Sequence, residues 1–518
     1  MKAGDVLVML GERASEGATR PAFRDHTESL DYAALARRVA GAAEILEGLP
    51  TRLGLLGASS IDWLVADLAA WATGKELVSL PHFFSDAQLA HIVADAGLET
   101  VIAADDQMIR ARGLAGQVVP MPRTEAEWWP AEMSGHRIVY TSGSSGTPKG
   151  VLLGADQMRQ SCAALLEASG ATMNDRHLSV LPYALLLEAI CGIYLPILAG
   201  GHCVIAAHIV QSPASEIGVA LGEAAACERP TTSVLVPQLL QAWTIMASVS
   251  RVEVPDSLRF VAVGGAAVPD VIADRAWAVG IPVYEGYGLT ECCSVVAVNR
   301  PGDRRAGTVG RPLPGCDLRI ADDGEIVVRS AAVAQGYLGR SDGPANREWH
   351  TGDLGDIDSD GYLRVSGRKD NLIVTANGRN VTPEWVETML LADPRISRCV
   401  IFPSSFGDLA LLIEPSQLGA AWFAKADEER LAGLIAGLTA LAPDYARPNR
   451  VAVMPPDGFA AAGLLTANGR PRRREISTRN EEFFFQSEIQ IHGDAEWNFL
   501  SACSPRRGQN ARLLSRRR

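Results

Sequence analysis

A chain of 518 residues, 47% apolar and 21% charged, is too long for one small core and ordinary in composition, which points to two or more globular domains. Its net charge of −12 gives no general basic footprint for nucleic acid. Nine cysteines without a CxxC spacing fit reduced thiols of a cytoplasmic protein, not a disulfide frame or a zinc site.

The N-terminal MKAGDVLVMLGERASEG is a poor secretory signal, because its apolar run is short and sits beside Asp5. From Ser29, SLDYAALARRVAGAAEIL has helical apolar spacing. Leu53 to Gly57 reads as a buried strand, Asp62 to Thr73 as a helix, Leu77 to Leu80 as a strand, Gln88 to Ala96 as a helix and Thr100 to Ala103 as a strand. Strands alternating with helices predict a parallel, layered α/β sheet.

Tyr140 to Gly150, YTSGSSGTPKG, holds three glycines, three serines, two threonines and Lys149. Glycine entropy and Ser/Thr competition for backbone hydrogen bonds exclude a stable helix or central strand. The run suits a loop whose N–H groups, hydroxyls and ammonium wrap a polyphosphate, with VLL anchoring its far end; a Gly/Ser linker is the plain alternative. It is not a Walker A loop, because Lys149 follows Pro148 and precedes Gly150.

Asp156 to Ser169 reads as a helix. Ala184 to Val210 is the most lipid-like stretch, but Glu188, Pro196, Gly200, Gly201 and His202 interrupt it, so a buried helix and strand are expected instead of a membrane span. Leu185, Leu186 and Leu187 offer an apolar wall, or plain core. PTTSVLVPQLL at Pro230 to Leu240 predicts a strand, then a helix starting at Pro237. LRFVAVGGAAVP at Leu258 to Pro269 predicts a buried strand ending in a small-residue turn that a flat ring could approach.

Next come YEGYGLTE at Tyr284 to Glu291, GTVGRPLPG at Gly307 to Gly315, a hairpin signal at Asp322 to Gly324, HTGD at His350 to Asp353, and YLRVSGRKDNLIVTANGRNVTPEWVE at Tyr362 to Glu387. Asp356, Asp358 and Asp360 lack the later Glu of a calcium loop and read with Gly361 as a solvated turn. Thr382 and Pro383 are expected to cap and open a helix. Cys399 to Pro403 and Leu409 to Ile413 read as strands and Ala424 to Leu441 as one helix; GLLTANGRPRRREI closes the segment at Gly463 to Ile476.

These motifs, in this order, resemble the adenylate-forming superfamily of acyl-CoA synthetases, firefly-type luciferases and adenylation domains. The segment around the hinge is most similar to long-chain acyl-CoA synthetase-like AMP-binding enzymes. The resemblance implies a large N-terminal domain of layered α/β sheets with a small β subdomain over residues 1–367. A small mobile α+β C-terminal domain is expected over 368–480, and a mostly disordered tail over 481–518. It places Thr141, Ser142, Gly143, Ser144, Ser145, Gly146, Thr147 and Lys149 on the ATP phosphates. Gly265, Ala266, Tyr287 and Gly288 fall against adenine, Thr290 on phosphate and Glu291 on Mg²⁺. Asp353 falls on the ribose hydroxyls, Arg368 on ribose or phosphate, and Lys369 and Asp370 at a hinge. Where the superfamily carries its catalytic lysine after Asn-Gly, this chain has Arg470, which keeps the charge with a different geometry.

The implied reaction joins a carboxylic acid, fatty by this resemblance, to AMP with release of pyrophosphate, then passes the acyl group to the thiol of CoA. Lys149, Thr290, Glu291 and Arg470 are the expected catalytic groups. Two other outcomes stay open: loading of a carrier-protein phosphopantetheine, and a non-catalytic nucleotide binder with Arg470 for lysine. No nucleic acid or membrane span is expected; a homodimer is left open.

Overall fold

The computed structural model describes residues 4–16, 21–141, 148–213, 216–340, 343–375, 379–404, 408–466, 469–479 and 489–490. The chain divides into two compact units, Met1–Asn371 and Leu372–Arg518.

Among the described residues, the first unit contains a seven-stranded, a nine-stranded and a four-stranded sheet. The seven-stranded sheet is built on parallel pairings of Gln117–Pro120, Thr100–Ala103, Arg52–Gly57, Glu76–Pro81 and His136–Thr141. Two antiparallel strands, Lys149–Gly154 and Gly336–Tyr337, extend it. Helices Ile61–Ala72 and Asp86–Asp95 supply crossovers, and Tyr32–Glu47 leads into the sheet from strand Ser29–Asp31 of the nine-stranded sheet. This is the alternation read in the sequence, and the boundaries differ by one or two residues.

The nine-stranded sheet has a parallel centre, His202–Ile205, Arg176–Ser179, Thr232–Leu235, Phe260–Val263 and Val283–Leu289. Helix Ile61–Ala72 is buried almost all round, as a helix inside a core must be. Its fully buried Asp67 is charge-paired with Arg137 and accepts a 2.6 Å hydrogen bond from the Tyr194 hydroxyl. A buried charge survives only with such partners. Residues Leu186–Ala189, Ile190–Tyr194 and Leu195–Ala199 form a helix with a π-type middle turn; Gly200 caps it at φ +72°, and strand His202–Ile205 follows. Among the described residues no helix is long and apolar enough to cross a membrane.

The four-stranded antiparallel sheet runs Cys316–Ile320, Glu325–Ser330, Glu348–Ile357, Leu363–Arg368. Gly324 turns its hairpin at φ +86°. The aspartate run is a turn: Asp358 accepts from the Asp360 and Tyr362 N–H groups at 3.0 Å, and Arg305 reaches both carboxylates.

The second unit carries a sheet ordered Ile396–Pro403, Leu409–Pro415, Arg450–Val453, Ile489–Gln490, plus the pair Ile373–Val374 and Asn380–Val381. Two local expectations are corrected here. Thr382 precedes helix Pro383–Leu391 without a side-chain cap, so Pro383 alone marks the start. The helix expected over Ala424 to Leu441 is narrower, Glu428–Leu438, because Asp427 caps its N-terminus, and a separate helix, Gln417–Phe423, capped by Ser416, precedes the expected range. In the tail, Ile489–Gln490 pairs with Val451 and Arg450; residues 480–488 and 491–518 lie outside the described residues.

Asp175 ties the nine-stranded sheet at its start. Its carboxylate accepts from Arg259 at 2.5 and 2.7 Å, from Thr231 Oγ1 at 2.7 Å and from the Thr172 N–H at 2.7 Å. Burial pushes its pKa up, but the Arg259, Thr172 and Thr231 bonds outweigh this and hold it below the ordinary aspartate value. A depressed value means stability that is present above the ordinary aspartate range and lost as pH falls through the folded value. Asp175→Asn is therefore expected to cost about 2 kcal/mol at neutral pH. Urea melts near pH 7 should show that gap, and it should close near pH 2.

Candidate active site

The site is built where strand Val283–Leu289 leaves the parallel centre and turns back as Ser294–Val298. The ladder between them slips at Tyr287 and Gly288. A Cβ on Gly288 would stand 1.7 Å from the Ser294 carbonyl oxygen, so only glycine fits. Cys293 at φ +54° and Ser294 at φ +88° make the turn, a backbone region that costs side-chain-bearing residues of order 1–3 kcal/mol each. The Ser161 hydroxyl steadies it by donating to the Cys293 carbonyl at 2.6 Å.

This turn presents Thr290 and Glu291 on one short helical turn, Thr290–Cys292. The Glu291 carbonyl accepts from the Ala334 N–H at 2.8 Å, and its carboxylate accepts from the Tyr337 hydroxyl at 2.9 Å. Lys149 Nζ lies 5.6 Å from the centre of the Tyr337 ring, and the Arg340 guanidinium stands at the same distance. Both are within cation–π range. Burial and then the Glu291 carboxylate push the Tyr337 phenol up, which keeps it a donor.

Tyr287, one strand register away, donates to Asp353 Oδ2 at 2.6 Å, and Arg368 Nη1 donates to Asp353 Oδ1 at 2.8 Å. Asp353 is buried and Arg368 is half exposed. The Tyr287 phenol is raised first by burial and then by Asp353. Burial works against the Arg368 charge, and Asp353 overrides it. Tyr287 and Glu291, four residues apart at the end of one strand, carry the two clusters: Asp353 and Arg368 at Tyr287, and Tyr337 with Lys149 at Glu291.

Gly265, at φ +86°, and Ala266 are exposed in the turn after strand Phe260–Val263. A Cβ on neighbouring Gly264 would meet Leu187 Cδ2 at 4.0 Å, so the leucine segment borders this turn. Thr141 is opposite Lys149 in an antiparallel β-ladder. Ser142, Gly143, Ser144, Ser145, Gly146 and Thr147 lie outside the described residues, as does Gly378. Lys369 and Asp370 form an exposed 3₁₀ turn at the end of the first unit. Arg470 is exposed in the second unit, in a turn where its carbonyl accepts from the Thr466 N–H at 2.7 Å and its N–H donates to Thr466 Oγ1 at 3.1 Å.

Sequence reasoning did not reach Tyr337, which lies 46 residues from its partner Glu291. The available signal was an aromatic after Gly336 in AQGYLGR, beside the strand that follows the glycine-rich loop. As for a divalent cation, no group of three or more His, Cys, Asp or Glu that could hold one occurs among the described residues. A single braced carboxylate, Glu291, fits Mg²⁺, which takes one or two carboxylates and fills its other positions with water and phosphate.

The profile of the AMP-binding enzyme family matches residues 10–338. The feruloyl-CoA synthase of an Amycolatopsis species is 31% identical over 422 residues, covering 75% of this chain and 83% of that protein. A long-chain-fatty-acid–CoA ligase of Mycobacterium bovis, FadD15, is 40% identical over 171 residues, 32% of this chain; the match spans only 28% of that relative's length. The crystal structure of the anthranilate CoA ligase AuaEII with anthranoyl-AMP superposes with a TM-score of 0.79 at 19% identity, over 92% of this chain and 97% of that one. The fold is therefore that of the adenylate-forming enzymes, and the chain belongs to the AMP-binding enzyme family.

Proposed function

We propose that this chain activates a carboxylic acid with ATP, forming acyl-AMP and pyrophosphate, and then transfers the acyl group to the thiol of CoA. The observation that carries this reading is the gathering of Lys149, Glu291, Tyr287, Asp353 and Arg368 at the end of one strand, in one unit. The names of the relatives, a feruloyl-CoA synthase and a long-chain-fatty-acid–CoA ligase, support a CoA-linked acid. The segment beside Gly264 is apolar at Leu185, Leu186 and Leu187, which favours an alkyl or aryl acid over an amino acid. A fatty acid is our first choice.

The obstacle in the first step is the approach of an anionic carboxylate to an anionic α-phosphate. Catalysis is therefore positioning and charge neutralisation. In this reading Asp353, a carboxylate held in place by Tyr287 and Arg368, accepts from the ribose hydroxyls. Tyr287 and the Gly265–Ala266 turn flank the base. Lys149 and Thr290 hold phosphate, with the loop residues Thr141 to Thr147. Glu291, braced by Tyr337, would hold Mg²⁺, which supplies further neutralisation when bound. Arg470 contributes a fixed positive charge to acyl-AMP formation, and Lys369–Asp370 is the pivot for thiol transfer.

ATP–pyrophosphate exchange with a panel of fatty, aryl and amino acids tests the reading. Exchange with an alkyl or aryl acid, followed by thioester on adding CoA, is the expected result. No exchange with any acid, despite ATP binding, identifies a nucleotide binder, and thioester only with a carrier protein identifies the other acceptor. Tyr337→Phe should raise the KM for Mg·ATP about tenfold and leave kcat within about threefold, because it loosens a carboxylate that binds the metal. Arg470→Ala should lower acyl-AMP formation about a hundredfold while sparing thiol transfer from supplied acyl-AMP. Asp370→Pro should show the reverse, and equal damage to both steps would count against two separable half-reactions.

A further inference from the structure

Asp353 does not sit in a regular ladder. Glu325 is opposite Leu354 and Val327 is opposite His350, so Thr351, Gly352 and Asp353 bulge out against the single residue Ile326. A bulge re-aims the side chain it carries, and its lost ladder bonds must be replaced. Two side chains replace them. Thr351 Oγ1 donates to the Ile326 carbonyl at 2.7 Å and accepts from the Asp353 N–H at 3.0 Å. Glu325 Oε1 accepts from the Gly352 N–H at 2.8 Å.

The Glu325 carboxylate is itself held. Its residue is 8% exposed. Oε2 accepts from Lys369 Nζ at 3.2 Å and lies 3.3 Å from His350 Nδ1. The same Lys369 ammonium reaches Asp323 Oδ2 at 2.5 Å, and Asp323 Oδ1 accepts from the Glu325 N–H at 3.2 Å. Burial pushes the Glu325 pKa up, but the Gly352, Lys369 and His350 bonds prevail and lower it, so it remains an acceptor for the bulge. Lys369 is two residues from the end of the first unit.

We propose that Glu325 is a positioning residue for ribose recognition: it holds the bulge that aims Asp353, and Lys369, clasped by Asp323 and Glu325, fixes that carboxylate from the pivot side. The inference rests on the reading in which Asp353 receives the ribose hydroxyls. It assigns Glu325 and Asp323 a task that their hairpin position alone does not, and it makes Lys369 an anchored residue, so that any rotation begins after it.

The test compares the affinities of the full chain for ATP and for dideoxy-ATP, which lacks both ribose hydroxyls, by calorimetry. Wild type should prefer ATP. Glu325→Gln should cut that preference about tenfold and leave dideoxy-ATP affinity within about twofold, because only the hydroxyl contacts depend on the aim of Asp353. Lys369→Met should cut it about threefold, and Lys369→Arg should restore it. Glu325→Gln with the full wild-type preference, or with equal losses for both nucleotides, overturns the proposal. Should Glu325→Gln fail to fold, exposed Lys369→Met decides: a reduced preference supports the proposal and an unchanged one overturns it. A wild type with no preference refutes the Asp353 reading itself, a result distinct from the other two.

Discussion

The Asp353 carboxylate, taken by Tyr287 on one oxygen and Arg368 on the other, is the interaction on which the site depends. Tyr287 belongs to the nine-stranded sheet, and Asp353 and Arg368 to the four-stranded sheet. One buried anion thus locks the last core strand of the large α/β body to the small β subdomain. The bond is strong because it is unavoidable: a carboxylate removed from water without donors would cost several kcal/mol. With them it becomes a rigid acceptor.

Strain gathers around the same point. Gly288 touches the Ser294 carbonyl, Cys293 and Ser294 take positive φ, and Gly352 turns at φ +70° beside the Arg368 guanidinium. Each conformation is unfavourable alone and persists because packed neighbours dictate it. Buried Cys292 and Cys293 fill the space behind the turn. Burial pushes their thiols up, the Cys293 thiol to about 12, so these groups act as packing and not as nucleophiles. The adjacent cysteine pair, conspicuous in the sequence, is therefore part of the wall that holds Glu291 forward.

What the sequence made legible was local. Alternating helices and strands, the Asp322–Gly324 hairpin and the glycine-rich loop are each written within a dozen residues, because period and turn chemistry are short-range properties. Even the start of the Glu428–Leu438 helix was readable, since Asp427 is an ordinary N-cap; the apolar residues before it hid that start. Tyr337 and Glu325 were not legible. Tyr337 matters only because an edge strand brings it to Lys149 and Glu291. Glu325 matters only because three residues of one strand face one of the next. Neither relation has a period: one joins residues brought together from different elements of the fold, and the other is a bulge inside one sheet.

Arg470 bears on how much of the expected chemistry the chain retains. In the reaction proposed, that position needs no proton transfer, since the nucleophile is already ionised and pyrophosphate leaves as an anion. What the step requires is a cation where two negative charges converge. A guanidinium meets that need at every pH the fold survives and offers two parallel donors to a carboxylate or phosphate edge. Its rigidity is the cost, because a planar fork tolerates less misplacement than an ammonium on a flexible stem. The backbone compensates: Thr466 pins the turn through both its N–H and its hydroxyl, and Gly469 takes φ +73° just before Arg470. The turn fixes the base of the side chain more firmly than a lysine would need, which is the arrangement expected if a stiffer cation performs the same electrostatic task.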